Sequence, residues 1–189
     1  MRKIILHLHA TLDGFVAGPN GEMDWIKLDD EMFDFVGTLT DAADTALYGR
    51  VTYQMMDSYW PTAGDKPNAS KHDIQHSTWY NKVDKVVLSR TINDSEKNKT
   101  TFISDNIPAE IEKLKNKPGE NIIIFGSPSA AHSLMEYNLI DEYWLFINPI
   151  LLVEGIPVFS KIKERTNLKF ATSKIFPCGV AALNYTLAR

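Results

Sequence analysis

A single cysteine, Cys178, is all the thiol chemistry this chain has. It allows no internal disulfide and excludes a cysteine-rich zinc site. Such scarcity agrees with a reducing compartment, and a cytoplasmic location is expected. Basic residues are also short: 20 against 24 acidic ones, for a formal charge of −4. Nucleic acid and anionic membranes therefore have no electrostatic claim as partners. Long apolar runs are missing. The richest, residues 143–153, is broken by Asn148 and Pro149 and is too short to span a bilayer. Met1-Arg2-Lys3 leads straight into a strand-like segment carrying His7 and His9, which is not a signal-peptide core. Three fingerprints are absent as well. Without Gly-x-Gly-x-x-Gly a standard Rossmann site is not indicated. Without a Walker-A sequence an NTPase is disfavoured, and without Gly-x-Ser-x-Gly so is a hydrolase.

What remains is ordinary in bulk and specific in order. The 189 residues, 44% hydrophobic and 23% charged, suit one globular domain with a sizeable core. Residues 3–10 alternate as a strand, with Ile4, Leu6 and Leu8 on one face and Ile5, His7 and His9 on the other. A loop over 13–25 follows. Asp29, Asp30 and Glu31 open a helix whose apolar positions run Met32, Phe33, Val36, Leu39 and Ala43. Further strands are expected at 45–48, 85–89, 122–125 and 142–147, with helices at 50–57, 108–117 and 128–137. The segment 61–68 reads as loop, 70–81 as a weakly patterned helix, and 93–99 as polar and exposed. Strands at Leu168–Ile175 and Ala181–Leu187 should close a hairpin around a Pro-Cys-Gly turn. Strand–helix alternation ending in a hairpin predicts an α/β domain with a mainly parallel sheet and an antiparallel edge.

Gly126-Ser127-Pro128-Ser129-Ala130 is the most informative stretch. A buried strand empties into small residues and a helix begins at once. Pro128 suits the first helical position and Ser127 the cap before it. Backbone N–H groups at such a start, with the helix dipole behind them, favour an anion, typically phosphate. Gly49-Arg50-Val51-Thr52 repeats the arrangement. Either turn alone reads as an ordinary connection. The pair points to a dinucleotide pyrophosphate held between two helix starts.

Other candidates carry two readings each. Arg90, in Ser89-Arg90-Thr91 at a strand end, is either a clamp for the 2′-phosphate that distinguishes NADP from NAD or a solvated surface charge. Arg50 shares that ambiguity. His7 and His9 share a strand face and either line a ligand pocket or are satisfied by local hydrogen bonds. His72 and His76 have the i,i+4 spacing of half a metal site, but no Glu follows His72, and a solvated helix face is the preferred reading. No metal is assigned. Asp29 and Asp30 either protonate a substrate or simply cap their helix.

Thr11-Leu12-Asp13-Gly14-Phe15-Val16-Ala17-Gly18 resembles the Ser-Leu-Asp-Gly-x-Ile-Ala loop of the dihydrofolate reductase-like superfamily. More closely, the chain resembles stand-alone proteins related to the reductase domain of the bifunctional riboflavin-biosynthesis deaminase–reductase. The likeness continues through Gly49–Tyr53, Val87–Thr91, Phe125–Ser127 and 149–159, in order and over almost the whole chain. It implies one dihydrofolate reductase-like domain over 1–189, with helices on both faces of the sheet, acting as a homodimer and binding NADPH. Ala10, Val16 and Ala17 would flank the nicotinamide. The backbone at Gly49, Arg50, Val51 and Thr52 and at Gly126 through Ala130 would hold the pyrophosphate. Ser89 and Arg90 would meet the 2′-phosphate. Asp30, a few residues past Trp25, would be the catalytic carboxylate, and His7, His9, Trp25 and Tyr53 would line the substrate pocket. The implied activity is hydride transfer to a pterin- or pyrimidine-type heterocycle, as in dihydrofolate or 5-amino-6-(5-phosphoribosylamino)uracil reduction. The alternatives are a non-catalytic nucleotide- or ligand-binding protein on the same fold, and a structural or interaction domain.

Two departures stand out. One cysteine cannot supply the His-x-Glu and Pro-Cys-x-x-Cys zinc site of a deaminase half. The family's Gly-x-Gly turn after the Pro149 strand is here Val153-Glu154-Gly155, which brings phosphate contact there into question.

Overall fold

The computed structural model describes residues 1–92 and 97–188. Part of the polar stretch 93–99 therefore lies outside the described residues. β1 (Ile4–Thr11) sits inside an eight-stranded sheet, because both its faces are apolar or aromatic. β3 (Ala43–Gly49), β4 (Asp84–Leu88), β5 (Thr100–Ile103), β6 (Asn121–Phe125) and β7 (Glu142–Asn148) run parallel to it. β9 (Leu168–Ile175) and β10 (Ala181–Leu187) form the hairpin, with β10 antiparallel to β7. The spatial order is β5-β4-β3-β6-β1-β7-β10-β9. Ile122, Ile123 and Ile124 of β6 are fully buried, as a central parallel strand covered on both faces requires.

Helices cover both faces. α1 (Asp30–Asp41) and α3 (Lys71–Lys82) pack with part of α2 (Arg50–Ala63) on one core, around Ile5, Phe125 and Phe146. α4 (Ile107–Asn116) and α5 (Pro128–Met135) pack on the other, around Ile4, Leu6 and Leu8. A small ribbon of β2 (Phe15–Ala17) and β8 (Ile156–Pro157) stands apart from the sheet. His132 Nε2 of α5 tethers it, 3.0 Å from the Pro157 carbonyl. Two ion pairs lock the opposite end. Lys115, almost completely buried, meets Asp141 at 2.7 Å, and Arg2 pairs with Asp44.

The structure corrects several sequence expectations. Ala43 starts β3 rather than ending α1, since Ala42 already leaves the helical path. Residues 61–63 continue α2 instead of forming a loop; Pro61 sits near the helix end, where a missing N–H costs little. α3 forms despite weak patterning because Ser70 and Asp73 make a reciprocal capping box, a feature worth about 1 kcal/mol. β2, β5 and β8 were not expected: each is short, and β5 is half polar.

Candidate functional site

The five helices divide by how they begin. Asp29 caps α1 by accepting the Met32 N–H at 2.8 Å, and Ser70 caps α3. α2, α4 and α5 have no side-chain cap. Their first-turn N–H groups have no intrahelical acceptor either. All three begin at the same edge of the sheet, following β3, β5 and β6. The starts of α2 and α5 touch. Gly49, which caps α2, donates its N–H to Ser127 Oγ at 2.6 Å. A Cβ on Gly49 would lie 2.7 Å from Ser129 Oγ and 2.9 Å from Ser127 Oγ, so a larger residue would push these hydroxyls aside and disturb the approach.

Gly126 and Ser127 both lie in the left-handed region, at φ 56° and 51°. The chain thereby turns sharply out of β6 into α5. Above Gly126 a Cβ would meet nothing within 4 Å, which leaves open space beside free helix-start donors. A cavity of about 660 Å³ adjoins these turns, bordered by Ser89 and Arg90 after β4, Asn106 and Ile107 at the start of α4, and Ser129 and Ala130 of α5. Ser89 Oγ accepts the N–H groups of Thr91 and Ile92, at 3.2 and 3.0 Å, and so shapes the turn that presents exposed Arg90. The α4 start is a contributor that sequence reading missed, although Pro108 near a helix origin was its visible signal. An arrangement of uncapped helix starts, open backbone and a cation fits a phosphorylated ligand the size of a dinucleotide.

A second cavity, of about 420 Å³, opens on the other face. β1 contributes His7 and His9, and α3 contributes His72 and His76. α1 supplies Met32 and Phe33, and α2 supplies Met55, Met56 and Trp60. No Asp, Glu, Lys or Arg lines it among the described residues. This corrects the solvated-face reading of His72 and His76. His72 stacks on Phe33 at 3.9 Å, and His76 lies buried against Trp60 at 4.1 Å, because α3 packs on α1 and α2. Burial holds the imidazole of His9 at a pKa of about 4 and that of His76 at about 3. His7 is pushed well below its usual range, chiefly by burial and then by His9. The lining is therefore uncharged at neutral pH. Among the described residues, no group of three or more His, Cys, Asp or Glu is disposed to hold a metal ion.

The other expected site residues scatter. Ala10, Val16 and Ala17 are buried, at the end of β1 and in the β2 ribbon. Arg50 and Val51 are exposed on the first turn of α2, with Thr52 beside them. Tyr53 is buried in the core against Phe102. Trp25 Nε1 donates to the Glu22 carbonyl, outside both cavities. Asp30 is exposed at the first position of α1 and borders neither cavity. Its neighbour Asp29 is occupied: one oxygen takes the Met32 N–H and the other the Cys178 N–H, and these bonds hold its carboxyl below the usual range. A direct link joins the turn before α5 to the second cavity instead. The Gly126 N–H bonds the His7 carbonyl at 2.9 Å, so one residue of β1 braces the polar turn with its backbone and lines the apolar cavity with its ring.

No helix among the described residues is long and apolar enough to cross a membrane. The chain is 39% identical over 188 residues to the uncharacterized protein YyaP of Bacillus subtilis, covering 97% of this chain and 94% of that protein. Its fold matches a putative riboflavin biosynthesis protein from Shewanella, with a TM-score of 0.73, 22% identity and both chains fully covered. It also matches a diaminohydroxyphosphoribosylaminopyrimidine deaminase/5-amino-6-(5-phosphoribosylamino)uracil reductase from Thermotoga maritima, with a TM-score of 0.67 and 12% identity, covering 99% of this chain and 57% of that one. The sequence profile of the RibD C-terminal domain matches residues 2–182, and with that span the chain belongs to the RibD C-terminal domain family.

Proposed function

We propose that this protein is an NADPH-dependent reductase whose hydride acceptor is a heterocycle of the pterin or pyrimidine type. The observation that carries the reading is a cavity bordered by the uncapped starts of α4 and α5, with the uncapped α2 start joined to α5 through the Gly49–Ser127 contact, and a second, apolar cavity linked to the same turn through His7. In this reading, backbone N–H groups at the starts of α2 and α5 bind the pyrophosphate. Arg90 pairs with the 2′-phosphate, and Ser89 fixes the turn that presents it. A bound reduced nicotinamide supplies the hydride. Ala10, Val16 and Ala17 orient its ring, and the aromatic and methionine lining of the second cavity aligns the acceptor and excludes water. The proton would come from water, which a neutral imidazole can relay only by accepting a proton at one ring nitrogen as it gives one up from the other. Asp30, outside both cavities, has no direct part in this step.

Titration with NADPH and NADH, followed by nicotinamide fluorescence, tests this. Tight NADPH and weak NADH binding is expected. No binding of either would end the reductase reading. A non-catalytic binding protein is favoured by one observation, the failure of Asp29 and Asp30 to border either cavity. NADPH affinity without NADPH oxidation on any pterin or pyrimidine would select it. The reading includes a homodimer formed along the edge strand β9, where Phe170 and Ile175 are exposed; light scattering in solution decides that.

A further inference from the structure

The apolar cavity is built against one family of molecules and for another. A phosphorylated substrate brings about two negative charges, which need a cation or free helix-start donors to leave water. This cavity has no lysine or arginine among its described lining residues. Its walls from α1 and α3 belong to the two helices whose starts are already capped by Asp29 and Ser70. Aromatic faces and thioethers make up much of the rest, with Phe33, Trp60, Met55 and Met56 around the four imidazoles. Flat, polarizable walls of this kind favour a planar aromatic guest.

A second observation points to a ligand. His7 and His76 are both more than nine-tenths buried and both border the cavity. The Nε2 of each is buried with no hydrogen-bond partner. An unmet buried imidazole nitrogen costs about 1–3 kcal/mol, and groups of this kind are normally met by a ligand or an ordered water. Both rings pack on Phe125, with centroids 5.0 and 5.4 Å from it. The two rings thus sit together against Phe125 in the wall of the same cavity.

We propose that this cavity takes an uncharged, planar, unphosphorylated aromatic heterocycle, hydrogen-bonded by His7 and His76, and rejects phosphoribosyl-bearing pyrimidines. That this guest is the hydride acceptor rests on the reductase reading; that the cavity binds it does not.

The test uses quinoxaline as a neutral planar probe, naphthalene as its shape twin without nitrogens, and 5-amino-6-(5-phosphoribosylamino)uracil as the charged comparison. Binding is followed by quenching of tryptophan fluorescence, with no nicotinamide present. Quinoxaline should bind about tenfold more tightly than naphthalene, the equivalent of one or two net hydrogen bonds. The phosphorylated uracil should bind at least tenfold more weakly than quinoxaline. Met55 is partly exposed, so Met55→Arg should keep the fold, checked by circular dichroism, while reversing the order of quinoxaline and the phosphorylated uracil. The double variant His7→Phe/His76→Phe should keep naphthalene affinity and lose the preference for quinoxaline. Tighter binding of the phosphorylated uracil to the unaltered protein would overturn the proposal. So would equal affinity for quinoxaline and naphthalene, which would leave both nitrogens to ordered water. Failure of all three probes in a protein that binds NADPH would overturn the proposal and spare the reductase reading. Quinoxaline binding in a protein that ignores NADPH would do the opposite.

Discussion

The two cavities open at the same edge of the sheet, on opposite faces, and use different materials. The one beside α4 and α5 is made from backbone: helix starts without side-chain caps, two consecutive left-handed residues, and Arg90 at its rim. The one among α1, α2 and α3 is made from side chains: aromatics, thioethers and four imidazoles kept neutral by burial. Capping follows the same division except at α2, which lines the apolar cavity with its later turns yet starts uncapped beside α5. Asp29 and Ser70 satisfy the starts of α1 and α3 locally, whereas the starts of α2, α4 and α5 leave N–H groups for something else. In the proposed function, donors left open would serve phosphate, and the aromatic lining of the other cavity would serve an apolar ring.

Acid breaks the apolar side first. In the unfolded chain an imidazole takes up a proton near pH 6.5. In the fold, His9 waits until about pH 4 and His76 until about pH 3. Between those values the unfolded state binds more protons, so stability falls as pH drops below about 6.5 and levels off near the folded values. The loss should amount to a few kcal/mol by pH 4.5, on the order of 1 kcal/mol per pH unit for each imidazole. Urea unfolding at pH 7 and pH 4.5 measures it. His76→Phe should flatten the slope; an unchanged slope would mean His76 is already protonated or solvated in the fold.

Gly126→Val attacks the polar side. Its φ of 56° disfavours a β-branched residue by about 1–2 kcal/mol, and the new side chain would fill the open space above the turn. NADPH affinity should fall on the order of a hundredfold, about 2.7 kcal/mol, in a variant that still unfolds cooperatively. Unchanged affinity would remove this turn from the site. Arg90→Ala is the finer cut. A charge-assisted pair is worth about 1.5–3 kcal/mol, so NADPH should weaken at least about tenfold while NADH stays within about twofold. Equal losses for both cofactors would make Arg90 a general surface charge.

The polar side was the legible one. Glycines, a proline at a helix origin and an apolar strand before them are local signals, and Gly49, Gly126 and Ser127 stand where those signals put them. The contact between the α2 and α5 starts joins residues 78 positions apart, yet each half could be read separately. The apolar side was mostly illegible. His72 and His76 sit in a helix with a weak apolar stripe, and only the packing of α3 on α1 and α2 converts them from surface to lining. Met55 and Trp60 lie beyond the length expected for α2's first part or at its middle, with no spacing that marks a pocket. The strand face shared by His7 and His9 was the one clue, and it did not reveal what faced it.

The turn where this chain departs from its family's glycine pattern offers the smallest and most discriminating effect. Val153 is exposed and holds φ 73°, a conformation a β-branched side chain resists. Its N–H and that of Leu152 both bond one oxygen of Asp13, at 2.8 and 2.9 Å. These two donors of the turn are thus already occupied by a carboxylate of the first loop. Gly155 still needs to be glycine, because a Cβ there would collide with the Ala17 carbonyl oxygen. At position 153 the glycine is dispensable once Asp13 pins the turn. Val153→Gly should therefore relieve strain, less the extra chain entropy of glycine, for a gain of about 0.5–1 kcal/mol and a rise in Tm of about 2 °C. NADPH affinity should not move, because the side chain removed was not shielding a free donor. A severalfold tighter NADPH complex would show that the valine, and not Asp13, keeps phosphate away from this turn.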